Sequence, residues 1–189
     1  MSAELDSMYL SIQINQVPKN WASVSYLSLK PLSSWFKDLI IRVAFIENWL
    51  KNGNPNSYWM PGLFFPQGFM TGVLQTHARQ YLIAIDKLQF TFEVTDFEKP
   101  DEITEKPEDG VYISGLYRDG ARGERNNHMI EEQYPSRMFD SMPVIWFKPV
   151  DDFKVEPDEY LAPLYKASSR EGKLSTTGAS TNFVLHVTL

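Results

Sequence analysis

At 189 residues, with 43% apolar and 14% aromatic side chains, the chain has the size and composition of one folded domain or two small packed ones, which excludes overall disorder. Eighteen basic against 24 acidic side chains leave a net charge of −6, the wrong sign for neutralising phosphate backbones, so no nucleic-acid partner is expected. The absence of cysteine excludes disulfides and thiolate metal sites and fits a reducing cytosol.

No basic-then-apolar leader opens the sequence, and no uncharged apolar run reaches the roughly 18 residues of a membrane span. A soluble protein without a membrane partner is expected. The greasiest stretch, Leu39 to Ile46, is interrupted by Arg42 and followed by Glu47.

In sequence order, residues 1–15 place Leu5, Met8, Tyr9 and Ile12 on one helical stripe that stops before Pro18. The strongest predicted helix runs from about Ser33 to Asn52. Its broad apolar face carries Trp35, Phe36, Leu39, Ile40, Val43, Ile46, Trp49 and Leu50. Ser33 or Ser34 suits its N-cap, Asp38 lies early against the helix dipole, Lys51 lies late, and Gly53 suits the positive-φ stop. A third helix is predicted from Pro66 to about Leu82, with Phe69, Met70, Val73, Leu74, His77 and Tyr81 along one side.

The apolar period changes from helical to two near residue 84. Leu88, Phe90, Phe92 and Val94 alternate with Gln89, Thr91, Glu93 and Thr95, as in a half-buried strand. Further strands are expected over 110–117, 143–148, 161–167 and 182–189. The pattern therefore predicts an α+β fold with N-terminal helices (residues 1–84) packed on a C-terminal mainly antiparallel sheet or small β-barrel (residues 85–189). The linker from Glu98 to Asp109, with Pro100, Pro107 and six acids, is expected to be a mobile, exposed loop.

No residue set nominates chemistry. His77, His128 and His186 form no close metal-ligating pair, Ser114 and Ser141 lack the glycine-flanked elbow of a hydrolase nucleophile, and the adjacent pairs Glu131-Glu132 and Asp151-Asp152 read as solvated surface. Catalytic, cofactor-binding and metal residues are all expected to be absent. Two patches suit docking. One is the proline-broken apolar run containing Tyr58, Trp59, Leu63, Phe64 and Phe65, which reads either as the seam between helices and sheet or as a surface for a neighbouring module. The other is the hairpin-like segment with Arg118, Arg122 and Arg125, where interleaved Asp119 and Glu124 offer internal salt bridges as the alternative to an acidic partner. The loop Ser175-Thr176-Thr177-Gly178, continuing through Thr181 and Asn182, lacks the helix N-terminus of a phosphate cradle and reads as a structural turn.

Several stretches resemble the C-terminal region of dynein heavy chains: Gly62-Leu63-Phe64-Phe65-Pro66-Gln67-Gly68-Phe69, Asp109-Gly110-Val111-Tyr112, and Ser175 to Phe183. Val17-Pro18 to Trp21, with Ser28-Leu29-Lys30-Pro31-Leu32, is similar to the same family, as is Gly115-Leu116 with Gly120-Ala121-Arg122. Met142-Pro143-Val144-Ile145-Trp146 and Tyr165-Lys166 resemble the axonemal type. Gly123, where a Trp is common, and Ala162, where a Cys is common, depart from it.

The resemblance implies a non-catalytic domain after the sixth AAA+ module of a ciliary or flagellar microtubule motor. It would be partnered by the AAA+ ring of the same polypeptide and would modulate how the motor uses ATP and force. ATP and Mg would bind upstream, and intermediate chains, light chains and microtubules would be met through the rest of the motor, since the acidic charge disfavours direct contact with acidic microtubules. Cytoplasm, cytoskeleton and axoneme are the implied locations. An independent β-barrel module for a peptide or small ligand is the alternative.

Overall fold

The computed structural model describes residues 3–26, 28, 30–118, 120–137, 140, 142–151, 161–166 and 182–188; within the last two segments only Pro163 and Leu164 have described side chains. The helices are α1 (Ala3–Gln13), α2 (Lys19–Ser23), α3 (Leu32–Asn52) and α4 (Pro66–Tyr81). The strands are β1 (Ser57–Trp59), β2 (Leu88–Val94), β3 (Val111–Ser114), β4 (Leu116–Tyr117), β5 (Ala121–Glu124), β6 (Met129–Glu132), β7 (Ile145–Asp151), β8 (Leu161–Lys166) and β9 (Asn182–Thr188).

The expected α+β architecture is present. A four-stranded sheet has the order β1-β3-β7-β2, a three-stranded sheet the order β4-β8-β9, and β5 pairs with β6. Every pairing is antiparallel except β1 with β3. Among the described residues these sheets stay open and no barrel closes. β1, from the helical half, aligns Ser57 with Tyr112 and Trp59 with Ser114, so the main sheet draws on both sides of residue 84. The run 110–117, expected as one strand, is divided by Gly115 at φ +77° into β3 and β4, which belong to different sheets. Glycine meets no Cβ penalty there.

The core lies where α4 covers the sheets: Met70 packs with Met60, Val94, Ile113, Ile145, Phe147 and Leu164, and Phe69 and Val73 flank it. β2 buries Leu88 and Val94 at its two ends, is half-buried from Phe90 to Glu93, and sets Phe92 opposite Phe147. α4 ends at Leu82, which adopts the left-handed conformation at φ +56° and returns its N–H to the Ala78 carbonyl. This backbone conformation usually favours glycine.

Two expectations about the helices are corrected. Pro31, not a serine, occupies the N-cap position of α3, and the free N–H groups are taken by Asn15 at the end of α1: Leu32 N–H donates to the Asn15 carbonyl at 2.8 Å and Ser33 N–H to its Oδ1 at 3.0 Å. The side chains that α3 buries are Trp35, Asp38 and Arg42, while Phe36, Ile40, Val43 and Leu50 face outward. The inward stripe is rotated because it carries an ion pair that compensates its own burial, which a hydrophobicity pattern does not register.

The Glu98–Asp109 segment is also better anchored than its composition suggests. It forms a short 3-10 turn at Pro100–Glu102, buries Ile103, and is held by the Asn56 side chain, which donates to the Ile103 and Thr104 carbonyls at 3.0 and 2.8 Å.

Candidate functional site

The aromatic run 58–65 proves to be two structures in succession. β1 and the 3-10 turn Met60–Gly62 build the seam: Met60, Pro61 and Gly62 are buried, and Trp59 meets Phe45 of α3 edge-on at 5.9 Å. Tyr58 contacts Trp49 at 5.1 Å and Phe69 at 4.7 Å, and burial pushes its phenol pKa up. Leu63 is half-buried, and then the backbone turns outward. Phe64 and Phe65 are 63% and 69% exposed as they lead into α4, with Phe64 leaning on Tyr26 at 6.4 Å. Of the five apolar docking candidates, then, Tyr58 and Trp59 belong mainly to the interior, and Phe64 and Phe65 to the surface.

Behind Phe64 lies a charge cluster. Asp38, 4% exposed, accepts from Arg42 Nε at 2.8 Å, and Lys30 Nζ stands 3.3 Å from its other oxygen. Arg42, 8% exposed, lays its guanidinium over the Tyr26 ring at 4.2 Å and lies 5.8 Å from the Trp59 ring. Tyr26 stacks on Trp35 at 6.1 Å and donates its hydroxyl to the Trp35 carbonyl at 3.1 Å. Burial would raise the Asp38 pKa, but the hydrogen bond from Arg42 and the nearby positive charges of Arg42 and Lys30 reverse this and hold it below the ordinary carboxylate value. Burial, then the neighbouring Asp38, pushes the Tyr26 phenol far above its usual range. The cluster locks α3 to the 24–31 segment and to β1. Sequence reasoning assigned Asp38 to the helix dipole; its i, i+4 spacing to Arg42 was the available clue.

The arginine candidates are already occupied. Arg122 pairs with Glu124 and, at 2.6 Å, with Glu131 across the β5–β6 hairpin, while its guanidinium covers the Tyr134 ring at 4.1 Å. Arg125 pairs with Glu98, and Arg118 Nη1 donates to the Pro163 carbonyl at 3.1 Å. Of the two interleaved acids, Glu124 forms its internal salt bridge with Arg122, and Asp119 lies outside the described residues; the other partners, Glu131 and Glu98, come from elsewhere in the sequence. No described ion pair or ring contact joins the arginines to the aromatic run. Ser175, Thr176, Thr177, Gly178 and Thr181 lie outside the described residues, and Asn182 opens β9 opposite Lys166.

Further exposed apolar side chains lie on the helices. On α3, Phe36, Ile40, Val43 and Leu50 follow alternating four- and three-residue steps, interrupted only by Glu47 at the intervening position. This is the spacing of a seam that receives another helix. On α1, which buries no residue, Leu5, Tyr9 and Ile12 repeat the four-then-three step and are exposed. The Asn15 contacts fasten the end of α1 to the beginning of α3.

Residues 1–189 match the sequence profile of the C-terminal domain of dynein heavy chains over their whole length. The protein belongs to this family. It is similar to dynein axonemal heavy chain 12 of Rattus norvegicus, with 49% identity over 190 residues, covering 100% of this chain and 6% of that relative. It is 43% identical over 213 residues to dynein axonemal heavy chain 6 of Homo sapiens, and 46% over 188 residues to dynein axonemal heavy chain 1 of Rattus norvegicus. These matches cover 100% and 99% of this chain but only 5% and 4% of the relatives.

Of the segments that carry the dynein resemblance, Asp109-Gly110 has a clear steric reason for its composition. Gly110 has φ +73°, and a Cβ placed on it would stand 1.9 Å from the Phe147 carbonyl oxygen. Asp109 accepts the Gly110 N–H at 2.8 Å through Oδ1, approaches His77 Nδ1 at 2.8 Å through Oδ2, and receives Trp146 Nε1–H on its carbonyl at 2.8 Å. This one turn therefore ties α4, β3 and β7 together. Among the described residues no cluster of His, Asp and Glu could hold a metal, and no helix is long and apolar enough to cross a membrane.

Proposed function

We propose that the protein is a non-catalytic module of an axonemal dynein heavy chain, docking on the AAA+ ring made by other parts of the same polypeptide and modulating ATP-driven force in cilia or flagella. Family membership and the names of its relatives support the motor and axonemal parts of this reading. The sequence spans about one-twentieth of those relatives, and in this reading the partner surface belongs to the rest of such a heavy chain. The carrying observation is the uncovered helical surface: four large apolar residues on α3 and three on α1 face solvent at helix-packing intervals. Exposed apolar side chains at these intervals suit packing against a helix of another module. Within this reading, residues 1–84 offer the docking faces and residues 85–189 the platform that holds them.

Nucleotide and Mg bind elsewhere in the heavy chain, and intermediate chains, light chains and microtubules are reached through the rest of the motor. The axoneme is the working location. By bridging ring modules, the docked module biases their relative movement during the nucleotide cycle. The test replaces Ile40 and Val43 together by Ser in the complete heavy chain and compares it with a motor lacking the whole module. Both should alter ATPase rate, velocity or stall force in the same direction, while circular dichroism of the substituted module stays unchanged. Unchanged motor behaviour on complete removal would refute the proposal.

A further inference from the structure

A cavity of about 490 Å³ opens between α4, the end of α3 and the 107–111 turn. Its polar wall holds Asn54, Thr76, His77, Gln80, Glu108 and Asp109, and neither lysine nor arginine lines it. The His77 side chain is 10% exposed and turns Nδ1 to Asp109, 3.0 Å from Oδ1 and 2.8 Å from Oδ2. A carboxylate only accepts, so in the neutral imidazole Nδ1 carries the proton and Nε2 is left with a lone pair. Nε2 has no partner among the described residues and is not sealed from solvent. Other groups of the wall add acceptors. Thr76 Oγ1 donates to the Gly72 carbonyl at 2.9 Å and keeps its lone pairs. Gln80 and Glu108 are exposed and make no hydrogen bond or ion pair among the described residues. The cavity therefore combines free acceptors with a carboxylate that lacks a counter-charge.

We infer that this cavity receives an arginine side chain of a partner protein. The guanidinium is planar, always charged, and carries five N–H donors in a fixed fork, so it can take Glu108 through two bonds and still donate to the acceptors around it. An ammonium gathers its three donors on one atom and serves fewer separated acceptors. Val73, Pro107 and Val111 in the same wall suit the three-carbon stem. The net charge of −6 favours approach of a cationic partner. The inference is independent of docking on the ring.

The histidines give a local readout. All 189 residues, with 15N-labelled histidine, would be titrated at pH 8 with a short capped peptide whose one charge is an arginine, and with its citrulline and lysine counterparts. The arginine peptide should shift the His77 Nε2 resonance saturably. His128, whose Nδ1 lies 2.8 Å from the Val94 carbonyl and which does not line the cavity, should stay unmoved. Citrulline keeps the shape without the charge and should bind about tenfold more weakly, as should the arginine peptide to Glu108→Gln. Gly72 lines the cavity from α4, and a Cβ there meets nothing within 4 Å. Gly72→Leu fills this space, improves helix propensity and should abolish binding. Equal affinity for arginine and citrulline or for arginine and lysine, binding unaffected by Gly72→Leu, or no saturable shift at His77 would overturn the inference.

Discussion

Replacing Arg42 by Met removes the guanidinium from the buried cluster while keeping a side chain of comparable length. Asp38 is then left 4% exposed with Lys30 as its remaining charged partner, and the Arg42 contact 4.2 Å above the Tyr26 ring disappears. Breaking one side of a buried pair costs about 3–5 kcal/mol because the surviving charge loses its compensation. With Lys30 still 3.3 Å away, the lower end applies, about 3 kcal/mol. For a domain of this size that lowers Tm by about 9 °C.

The pH dependence gives a second readout. In the wild type the Asp38 pKa is depressed in the folded state, so its contribution to stability is present above the unfolded value, about 3.9, and is lost as pH falls through the folded value. In Arg42→Met the largest lowering influence is removed, so the folded pKa moves up from its wild-type position and the stability lost on acidification shrinks. Urea denaturation between pH 3 and 7 would measure both effects. Asp38→Asn in the Arg42→Met background should recover a large part of the loss. A loss below about 1 kcal/mol, or additive single and double variants, would refute the claim that the pair is a buried and coupled unit.

Asn15→Ala should cost about 0.5–2 kcal/mol, because it removes the side-chain acceptor for Ser33 N–H and leaves alanine at φ +56°; hydrogen exchange should accelerate specifically in the first turn of α3. Gly110→Ala should cost about 2–4 kcal/mol, since its Cβ would stand 1.9 Å from a backbone oxygen of β7 in a conformation unfavourable to alanine. Thermal denaturation with near-ultraviolet circular dichroism around Trp146 checks this, and an unchanged Tm would contradict the steric argument.

The elements most legible in the sequence are those whose pattern repeats several times. α3 and α4 extend over 21 and 16 residues, and β2 alternates for seven. β1 escapes notice because three residues carry no usable period, and its placement depends on a partner more than fifty residues away. The apolar face expected on α3 is only half right for a different reason: Trp35 is buried and Leu39, Ile46 and Trp49 half-buried, but Phe36, Ile40 and Val43 face outward while the interior takes Asp38 and Arg42, whose mutual compensation appears only in three dimensions. The same limit affects the site. Local composition singles out residues 58–65 as an apolar concentration, but the division between buried Met60 and exposed Phe65 depends on where the turn leaves the sheet. Arg122 and Arg125 are visible as charges, while their partners Glu131 and Glu98 come from other positions along the sequence.

The strand order β1-β3-β7-β2 also dictates an order of events during synthesis. β1 is complete at Trp59, yet β3 begins only at Val111 and the strand that joins β3 to β2 ends at Asp151. At about 5–20 residues per second, roughly ninety residues of translation separate β1 from completion of its sheet. For several seconds the nascent polypeptide therefore carries α3 and the 58–65 run without the strands they pack against. Chaperone occupancy on the ribosome should peak in this interval and fall once β7 has emerged.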